Sequence, residues 1–222
     1  MNRLLVFTAC CLLASCGGKR SARSYRTWGV DVSRHQQRVD WQRVARRNPP
    51  DFVFVKATEG SMIVDPNYAR HARELDRCGL LWGAYHFFGH RTSGREQARN
   101  FIRVARLKPG NLRPTLDIEP HRFMVDVKKS VTEAKEFCRE IRRYYGVNPI
   151  IYCSATFYEN YLRSDFPPDK YPLWIADYRG NPSRIPWTFW QHTDSYRLDG
   201  VRVGLDRNVF NGPPEDLQKY IL

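Results

Sequence analysis

The chain has 222 residues, which is the size of one ordinary domain. Hydrophobic residues make up 42% and charged residues 27%, so the composition is that of a globular protein and excludes disorder as the main state. The 36 Lys and Arg residues exceed the 23 Asp and Glu residues and give a net charge of +13, and no long apolar run or internal repeat indicates a polytopic membrane protein or a solenoid.

The beginning of the chain resembles an export signal. A basic residue precedes an apolar run at residues 4–14, which has the length of a signal-peptide core and is too short to span a bilayer. Cys16 follows this run, with two glycines after it, in an arrangement that resembles a bacterial lipobox. We therefore expect a signal peptide at residues 1–15 and a basic tether at residues 16–26, with a lipid on Cys16 that anchors the exported protein to a membrane, facing the periplasm or the cell exterior. A plain signal peptide is the alternative.

From Thr27 onward, short apolar runs alternate with amphipathic stretches. Several of the runs are apolar on both faces, which is typical of parallel strands covered by helices. The predicted strands are Trp28–Val32, Phe52–Ala57, Leu81–Phe88, Pro114–Ile118, Ile150–Ser154, Leu173–Asp177 and Trp187–His192. After Trp187 there is no room for crossover helices, so the sheet should end with antiparallel strands. The order predicts one α/β domain over residues 27–222.

Capping signals place the ends of two helices. Asp65–Pro66 predicts an N-cap followed by a proline in the first turn, and Gly79 stands where a C-cap glycine belongs. Ser130 and Glu133 have the spacing of a capping box, which predicts that the next helix begins there.

Three cysteines remain after the predicted lipidation site, namely Cys78, Cys138 and Cys153. Three thiols allow at most one disulfide bond, and no CxxC motif is present. A bridge between Cys138 and Cys153 is conceivable, but buried free thiols are the favoured interpretation.

Acidic residues occur where several predicted strands end. In parallel α/β folds, the loops at the carboxyl ends of the strands carry the ligand site. Acids at apolar strand ends are costly to bury unless they are paired or used. The acids at these positions are Asp31, Asp117, Glu119, Asp177 and Asp206.

The pair Asp117 and Glu119 is the most informative of these. Residues i and i+2 of a strand lie on the same side, roughly 6.6 Å apart at the backbone. Two carboxylates so placed raise each other's proton affinity, so one can act as a proton donor beside an ionised partner, as in glycoside hydrolysis. The alternative is a structural pair neutralised by some of the many arginines.

Aromatic residues near the strand ends are consistent with a sugar site. Flat rings pack against sugar faces, and the polar atoms of Tyr and Trp donate hydrogen bonds. The candidates are Tyr85, Tyr152, Trp174, Tyr178 and Trp190. Core packing is the alternative for at least half of the aromatic residues.

Several blocks of the sequence, in order, resemble glycoside hydrolase family 25, the Chalaropsis-type lysozymes. The blocks extend over about Thr27 to Gly212 and are specific as a set. They are Gly29–Ser33 with Val39–Trp41, Phe52–Gly60 (FVFVKATEG), Gly83–Phe87 (GAYHF), Pro114–Glu119 (PTLDIE), Pro172–Tyr178 (PLWIADY), Trp187–Gln191 (WTFWQ) and Val203–Gly212 (VGLDRNVFNG).

The resemblance implies a single irregular TIM-like β/α barrel that acts as an N-acetylmuramidase on the β-1,4 bonds of peptidoglycan. Carried over by position, Glu119 is the general acid/base and Asp117 assists through the 2-acetamido group of the substrate. Asp31 and Asp206 complete an acidic ring around the cleft. Retention by substrate assistance is favoured over inversion, although the sequence leaves both open.

The same resemblance implies that Tyr85, Tyr152 and Trp174 line the cleft. We expect a monomer that binds peptidoglycan glycan strands and needs no cofactor. The further predicted substrate contacts are Asp177, Tyr178, Trp190, Gln191 and Glu59.

The sequence departs from the family pattern at three positions. Gln37 stands where glycine is frequent, which predicts a different first loop. His71 replaces a frequent asparagine. Arg207 replaces an apolar residue beside Asp206, where its charge is expected to lower the proton affinity of that acid or to contact an anionic substrate.

Other functions find less support. The basic residues are spread along helices without a nucleic-acid-binding motif, and the 6 histidines show no metal-ligand spacing. Two rivals remain, namely a wall-binding lipoprotein without catalytic activity and a hydrolase of another N-acetylated glycan such as chitin.

Overall fold

The computed structural model describes residues 21–121 and 123–222. Its strands form a closed barrel of eight strands in the order β1-β9-β8-β7-β6-β5-β4-β2, which closes where β2 pairs with β1, and β3 forms a short hairpin with β2. The strands are β1 Trp28–Val32, β2 Phe52–Glu59, β3 Ile63–Val64, β4 Trp82–Phe87, β5 Thr115–Asp117, β6 Ile150–Ser154, β7 Leu173–Ala176, β8 Phe189–Tyr196 and β9 Leu205–Phe210.

Neighbouring strands are parallel along the path β1, β2, β4, β5, β6, β7 and β8. Strand β9 closes the barrel and is antiparallel to both β8 and β1. The prediction of an irregular β/α barrel with an antiparallel end is therefore confirmed. The helices that connect the strands are α1 Trp41–Arg47, α2 Tyr68–Cys78, α3 Gly94–Ala105, α4 Val127–Tyr145 and the short α5 Ala155–Phe157, which continues into a π-helical turn at Tyr158–Leu162. Short 3₁₀ turns lie at Ala22–Ser24, Arg34–Gln36 and Pro214–Tyr220.

Alternation along the strands separates two apolar layers. Side chains that point inward fill the barrel interior with a mainly aromatic cluster that includes Phe52, Phe54, Trp174 and Phe189. Side chains that point outward pack beneath the helices, where α4 contributes its apolar face, including Phe137. Because rings fill the interior toward its amino-terminal end, the mouth is the part of the described barrel that is left open to a ligand.

Two predicted helix starts are wrong. Helix α2 begins at Tyr68 with Asn67 at its N-cap, since the carboxylate of Asp65 instead accepts the backbone N–H groups of Arg34 and Asn67 in the preceding turn. Helix α4 begins at Val127 because Asp126 caps it by accepting the N–H of Lys129 at 3.0 Å.

The Ser130–Glu133 pair therefore lies inside α4 and is not its capping box. The hydroxyl of Ser130 donates to the carbonyl oxygen of Asp126, and the carboxylate of Glu133 accepts the N–H of Gly94. The predicted helix end at Gly79 is confirmed, since this residue has a left-handed φ of 64°.

The loop after β1 has a backbone conformation suited to glycine at Gln37. Gln37 has a φ of 51°, in the left-handed region that favours glycine. Its carbonyl oxygen accepts a hydrogen bond from the guanidinium of Arg70. Gln37 therefore adopts a backbone conformation that a glycine would adopt with less strain.

Part of the predicted tether packs on the barrel. The ring of Tyr25 lies 5.2 Å from that of Trp187, and its hydroxyl accepts a hydrogen bond of 2.9 Å from Asn181. The predicted signal peptide at residues 1–15 and the lipidation site Cys16 lie outside the described residues.

Cys78, Cys138 and Cys153 are free thiols, as favoured from the sequence. Within the described part of the chain, no helix combines the length and the apolar character needed to cross a bilayer.

Gly94 allows α3 and α4 to pack in backbone contact. A Cβ atom at this position would lie 1.7 Å from the carbonyl oxygen of Glu133 and 2.8 Å from the backbone nitrogen of Phe137. We expect Gly94→Ala to lower the free energy of unfolding by about 1–3 kcal/mol, as overpacking does, whereas the same change at an uncrowded helix position is stabilising by roughly 0.5–1 kcal/mol. Urea unfolding measures the difference, with the exposed Arg99→Ala as a control expected within about 0.5 kcal/mol of the parent. A stabilised Gly94→Ala variant would contradict the contact.

Candidate active site

Four predicted acids meet at the carboxyl end of the parallel strands. Asp31 is near the end of β1, Asp117 ends β5 and Glu119 follows it. Asp206 reaches the same rim from the beginning of the antiparallel strand β9, where it pairs in register with Asp31. Parallel strands end at one rim of a barrel, so the fold gathers acids that lie far apart in sequence.

Asp117 and Glu119 form one close electrostatic pair. Burial, and then the charge of Glu119, raise the pKa of Asp117 well above its ordinary value. Burial and the charge of Asp31 raise the pKa of Glu119. Oxygen Oδ1 of Asp117 is buried and accepts no hydrogen bond from any residue that the structure describes. An unpaired buried carboxylate oxygen is costly, which favours a site prepared for a donor from a ligand.

Asp31 and Asp206 form a second pair. Burial raises the pKa of Asp206 to about 8, with further contributions from the charge of Asp31 and from a hydrogen bond between the two carboxyl groups. Burial also raises the pKa of Asp31, but hydrogen bonds from Asn208, Gln191 and Asp206 act in the opposite direction. The hydrogen bonds to Asp31 therefore favour protonation of Asp206 over protonation of Asp31.

The raised pKa of Asp206 implies that this acid makes folding less favourable as the pH rises. A carboxyl group with a pKa of about 8 when folded and about 3.9 when unfolded stabilises the fold fully below the unfolded value, and this stabilisation is lost as the pH rises to the folded value. We expect the melting temperature of Asp206→Asn to rise relative to that of the parent as the pH increases from 5 to 9, because only the parent has this carboxyl group to ionise. The difference between the two proteins is the quantity to measure, because buried neutral histidines such as His86, with a pKa of about 4, act in the opposite direction. An equal pH dependence in both proteins would contradict the assignment.

A cavity of about 370 Å³ opens beside Glu119. Three of the predicted substrate contacts, Tyr152, Asp177 and Tyr178, line it together with Glu119 and Arg179. The carboxylate of Asp177 accepts hydrogen bonds from the backbone and guanidinium of Arg179 at 3.1 Å. Tyr178 is 53% exposed and therefore offers the open aromatic surface that a sugar ring needs.

Tyr85 and Trp174 lie deeper, in the inner wall of the barrel. Both are buried, and their rings contact each other edge to face at 6.2 Å. The indole Nε1 of Trp174 donates a hydrogen bond of 2.7 Å to Asn208. Because both rings are buried, they support the site from within the barrel and offer little open surface to a ligand.

The structure does not bring Trp190 into the cleft. Strand alternation turns Gln191 into the barrel and Trp190 outward, where its ring packs against Trp187 and Tyr25. Its Nε1 donates to the carbonyl oxygen of Asp177. The structure therefore places Trp190 outside the cleft, where it supports the loop that carries Asp177.

Glu59 lies at the end of β2 and binds Lys56, whose Nζ is 2.8 Å from its carboxylate. Sequence analysis missed Lys56, which occupies an inward-facing position of β2 and also lies 4.5 Å from the ring centre of Phe87. Its charge lowers the pKa of both Asp117 and Glu119. A lysine inside an apolar strand was the available signal, since such a charge is costly to bury without a partner.

Sequence analysis also missed His90. Its Nε2 atom lies 2.8 Å from the backbone carbonyl oxygen of Glu119, and its Nδ1 atom lies 3.0 Å from the hydroxyl of Ser130. This imidazole ties the segment that carries Glu119 to the start of α4. A single histidine in a loop carries no pattern from which this role follows.

Arg207 points away from Asp206, contrary to expectation. Neighbouring residues of β9 face opposite sides, and the guanidinium of Arg207 lies over the rings of Trp28 and Tyr196 at 4.9 and 4.7 Å. His71 is buried in the outer layer, where its Nδ1 accepts a hydrogen bond of 2.9 Å from Trp41.

Comparison with known proteins gives a consistent result. The sequence model of the family described as "Glycosyl hydrolases family 25" matches residues 30–201. The uncharacterized protein YegX of Escherichia coli K12 is 38% identical over 209 residues, which cover 91% of this chain and 76% of YegX. Lysozyme M1 of Streptomyces globisporus is 30% identical over 204 residues, which cover 83% of this chain and 67% of that protein. The solved structure of a family 25 glycosyl hydrolase from Bacillus anthracis has a TM-score of 0.83 and 28% identity, over 94% of this chain and 100% of that one.

Proposed function

Because the chain belongs to glycosyl hydrolases family 25 and is therefore a glycoside hydrolase, we propose that it is a muramidase that cuts the β-1,4 bond between N-acetylmuramic acid and N-acetylglucosamine in peptidoglycan. The observation that carries this proposal is the buried pair of Asp117 and Glu119 beside an open cavity. The pair supplies a proton donor next to a carboxylate, which is what cleavage of a glycosidic bond requires. The names of its relatives agree, since one of them is a lysozyme.

In the proposed reaction, Glu119 donates its proton to the glycosidic oxygen as the bond from that oxygen to the anomeric carbon breaks. The carbonyl oxygen of the 2-acetamido group of the substrate forms a bond to the anomeric carbon in its place. Glu119, now ionised, then takes a proton from the water that opens this cyclic intermediate, so the configuration is retained and the enzyme is regenerated.

Asp117 assists through its unpaired oxygen Oδ1. The acetamido N–H of the substrate donates a hydrogen bond to this atom. Such a bond favours the ionised form of Asp117, because a hydrogen bond to a charged group stabilises the charge. Substrate binding thereby lowers the high pKa of Asp117 and leaves the proton of the pair on Glu119, where the reaction needs it.

The rate is expected to depend on pH with a maximum. Below the acidic limb, Asp117 and Glu119 both carry a proton, so the carboxylate is lost, and above the alkaline limb neither carries one, so the donor is lost. Burial raises the pKa of both groups. The maximum should therefore lie above the range of unperturbed carboxyl groups, which titrate near about 4. Initial rates on a soluble glycan fragment, measured across the pH range, test this, and a flat profile would contradict the pairing.

The reaction itself is tested by mass spectrometry of peptidoglycan digested with the chain from Ser21 onward. Muropeptides that end in reducing muramic acid are the expected products. Products that end in reducing glucosamine, or products from chitin alone, would assign another bond or another glycan. Binding of glycan strands by the folded protein without any release of reducing ends would assign a binding protein.

The proposal includes export and a lipid anchor on Cys16, followed by a short tether. Tyr25 precedes β1, and its partner Trp187 precedes β8, so the chain enters at the amino-terminal face of the barrel. The acidic cleft lies at the opposite face. An anchored enzyme would therefore turn its cleft away from the membrane that holds it. The mass of the mature amino terminus in a membrane fraction tests for acyl chains on Cys16.

A further inference from the structure

Two buried amides converge on a single oxygen of Asp31. The Nε2 atom of Gln191 and the Nδ2 atom of Asn208 each donate a hydrogen bond of 2.9 Å to its Oδ2 atom. Gln191 lies on β8 and Asn208 on β9, so two neighbouring strands each supply a hydrogen-bond donor to the same carboxylate. Gln191 and Asn208 are themselves buried, at 3% and 0% exposure, which makes these contacts a fixed part of the barrel.

The orientation of the Asn208 amide follows from its other neighbour. The indole Nε1 of Trp174 lies 2.7 Å from Oδ1 of Asn208. An indole N–H only donates, so it requires the amide oxygen on its own side. The amide nitrogen of Asn208 must then face Asp31.

Gln191 is oriented in a similar way. The hydroxyl groups of Tyr152 and Tyr178 both donate to its Oε1 atom at 2.8 Å. A phenol can donate or accept, so the orientation of Gln191 follows from Oδ2 of Asp31, which already accepts from Asn208 and takes a second hydrogen bond from the amide nitrogen of Gln191. Gln191 thus contacts an acid of the site directly, and its hydrogen bond with Tyr178 connects that acid to the cavity wall.

We propose that Gln191 and Asn208 are positioning residues that hold Asp31 as a carboxylate by its Oδ2 atom and direct its other oxygen to the protonated carboxyl group of Asp206. Two N–H donors on one oxygen stabilise the ionised form of that acid more than its protonated form. A hydrogen bond between two carboxyl groups needs one proton, and the amides leave Asp206 as the group that carries it. The acidic ring therefore holds one fixed negative charge at Asp31, beneath Glu119. This inference rests on the proposed function for its effect on rate, but not for its effect on the carboxyl groups themselves.

Other ionisable groups face Asp31 from the surrounding strands. The three carboxyl groups repel the charge of Asp31 when they are ionised, whereas the three phenols are neutral because burial and the nearby acids, Asp31 among them, raise their pKa. The groups are Asp206 on β9, Asp117 and Glu119 at β5, Tyr85 on β4, Tyr152 on β6 and Tyr178 after β7. None of these groups carries a positive charge. Among the described residues, the two amides therefore stabilise the charge of Asp31 most directly, through their hydrogen bonds.

Carbon-13 NMR titration of the aspartate carboxyl groups tests the proposal without substrate. Gln191→Met removes one amide donor while keeping the length of the side chain. We expect the Asp31 signal to titrate about one pH unit higher than in the parent, since one unit is a tenfold change in proton affinity. Gln97→Met is the matched control, because Gln97 is an equally buried glutamine on the outer side of the sheet, bonded to His86 and Gly89. It should lose stability and leave the Asp31 signal unmoved.

Kinetics provide the second readout. In Gln191→Met, kcat should fall about tenfold and KM should stay within about twofold, because the change acts on the charges around Glu119 and not on the surface that binds the glycan. Asn208→Leu should give the same pattern, and if that variant does not fold, Gln191→Met still decides. An Asp31 signal that does not move in Gln191→Met would overturn the proposal and leave a merely structural amide. A moved Asp31 signal in a protein whose parent cuts no glycan would sustain this inference and refute the proposed function.

Discussion

Glu119→Gln is expected to lower kcat on peptidoglycan by about 10²–10⁴-fold, the usual cost of losing a general acid. The amide keeps the size of the side chain but has no proton to give to the leaving oxygen. KM should change little, because the variant still fills the same wall of the cavity beside Tyr152. Release of reducing ends from purified peptidoglycan measures the loss.

Glu133→Gln is a matched control for this experiment. Its carboxylate accepts the backbone N–H of Gly94 at 2.8 Å, between α3 and α4 and away from the cleft. We expect a lower melting temperature with kcat unchanged. Retention of parental activity in Glu119→Gln would remove this residue from the chemical step, whatever the control shows.

Asp117→Asn is expected to lower kcat by about 10²–10³-fold, the range seen when one group that stabilises the transition state is removed. The carboxylate that receives the acetamido N–H is lost, and the amide that replaces it is a weaker acceptor. The same change removes the carboxyl group whose protonation ends activity on the acidic side, so the pH profile should lose its acidic limb. The predicted signature is thus a lower rate together with a one-sided pH dependence.

Substrates with altered acetamido groups separate the role of Asp117 from general damage. In the parent, replacing the N-acetyl group by N-trifluoroacetyl should slow the reaction, because a less nucleophilic carbonyl oxygen attacks the anomeric carbon more slowly. In Asp117→Asn, the same replacement should slow the reaction less, since the variant has already lost the support for that attack. Equal slowing in both proteins would argue against assistance by Asp117.

Much of the barrel follows from local pattern. Strand β1 at Trp28–Val32 and strand β6 at Ile150–Ser154 are found with the predicted bounds, because apolar runs flanked by polar turns identify buried parallel strands well. The starts of α2 and α4 were misplaced because several residues near each start have capping chemistry. The side chain of Asp65 is used in a turn, and Asp126 caps α4 ahead of Ser130. Which candidate caps a helix depends on backbone geometry that sequence spacing does not contain.

For the site, the sequence determined the acids, and the fold decided how they are arranged. Strand-end positions identified Asp31, Asp117 and Asp206, because carboxyl groups are costly there unless used. The sequence did not determine that Trp174 faces into the barrel while Trp190 faces outward, nor that Lys56 reaches the mouth. Nor did it determine that Gln191 and Asn208 meet on one oxygen of Asp31, more than 150 positions away in the chain. Those contacts arise only when the barrel closes, since the pairing of β9 with β1 and β8 sets which side chains share the interior.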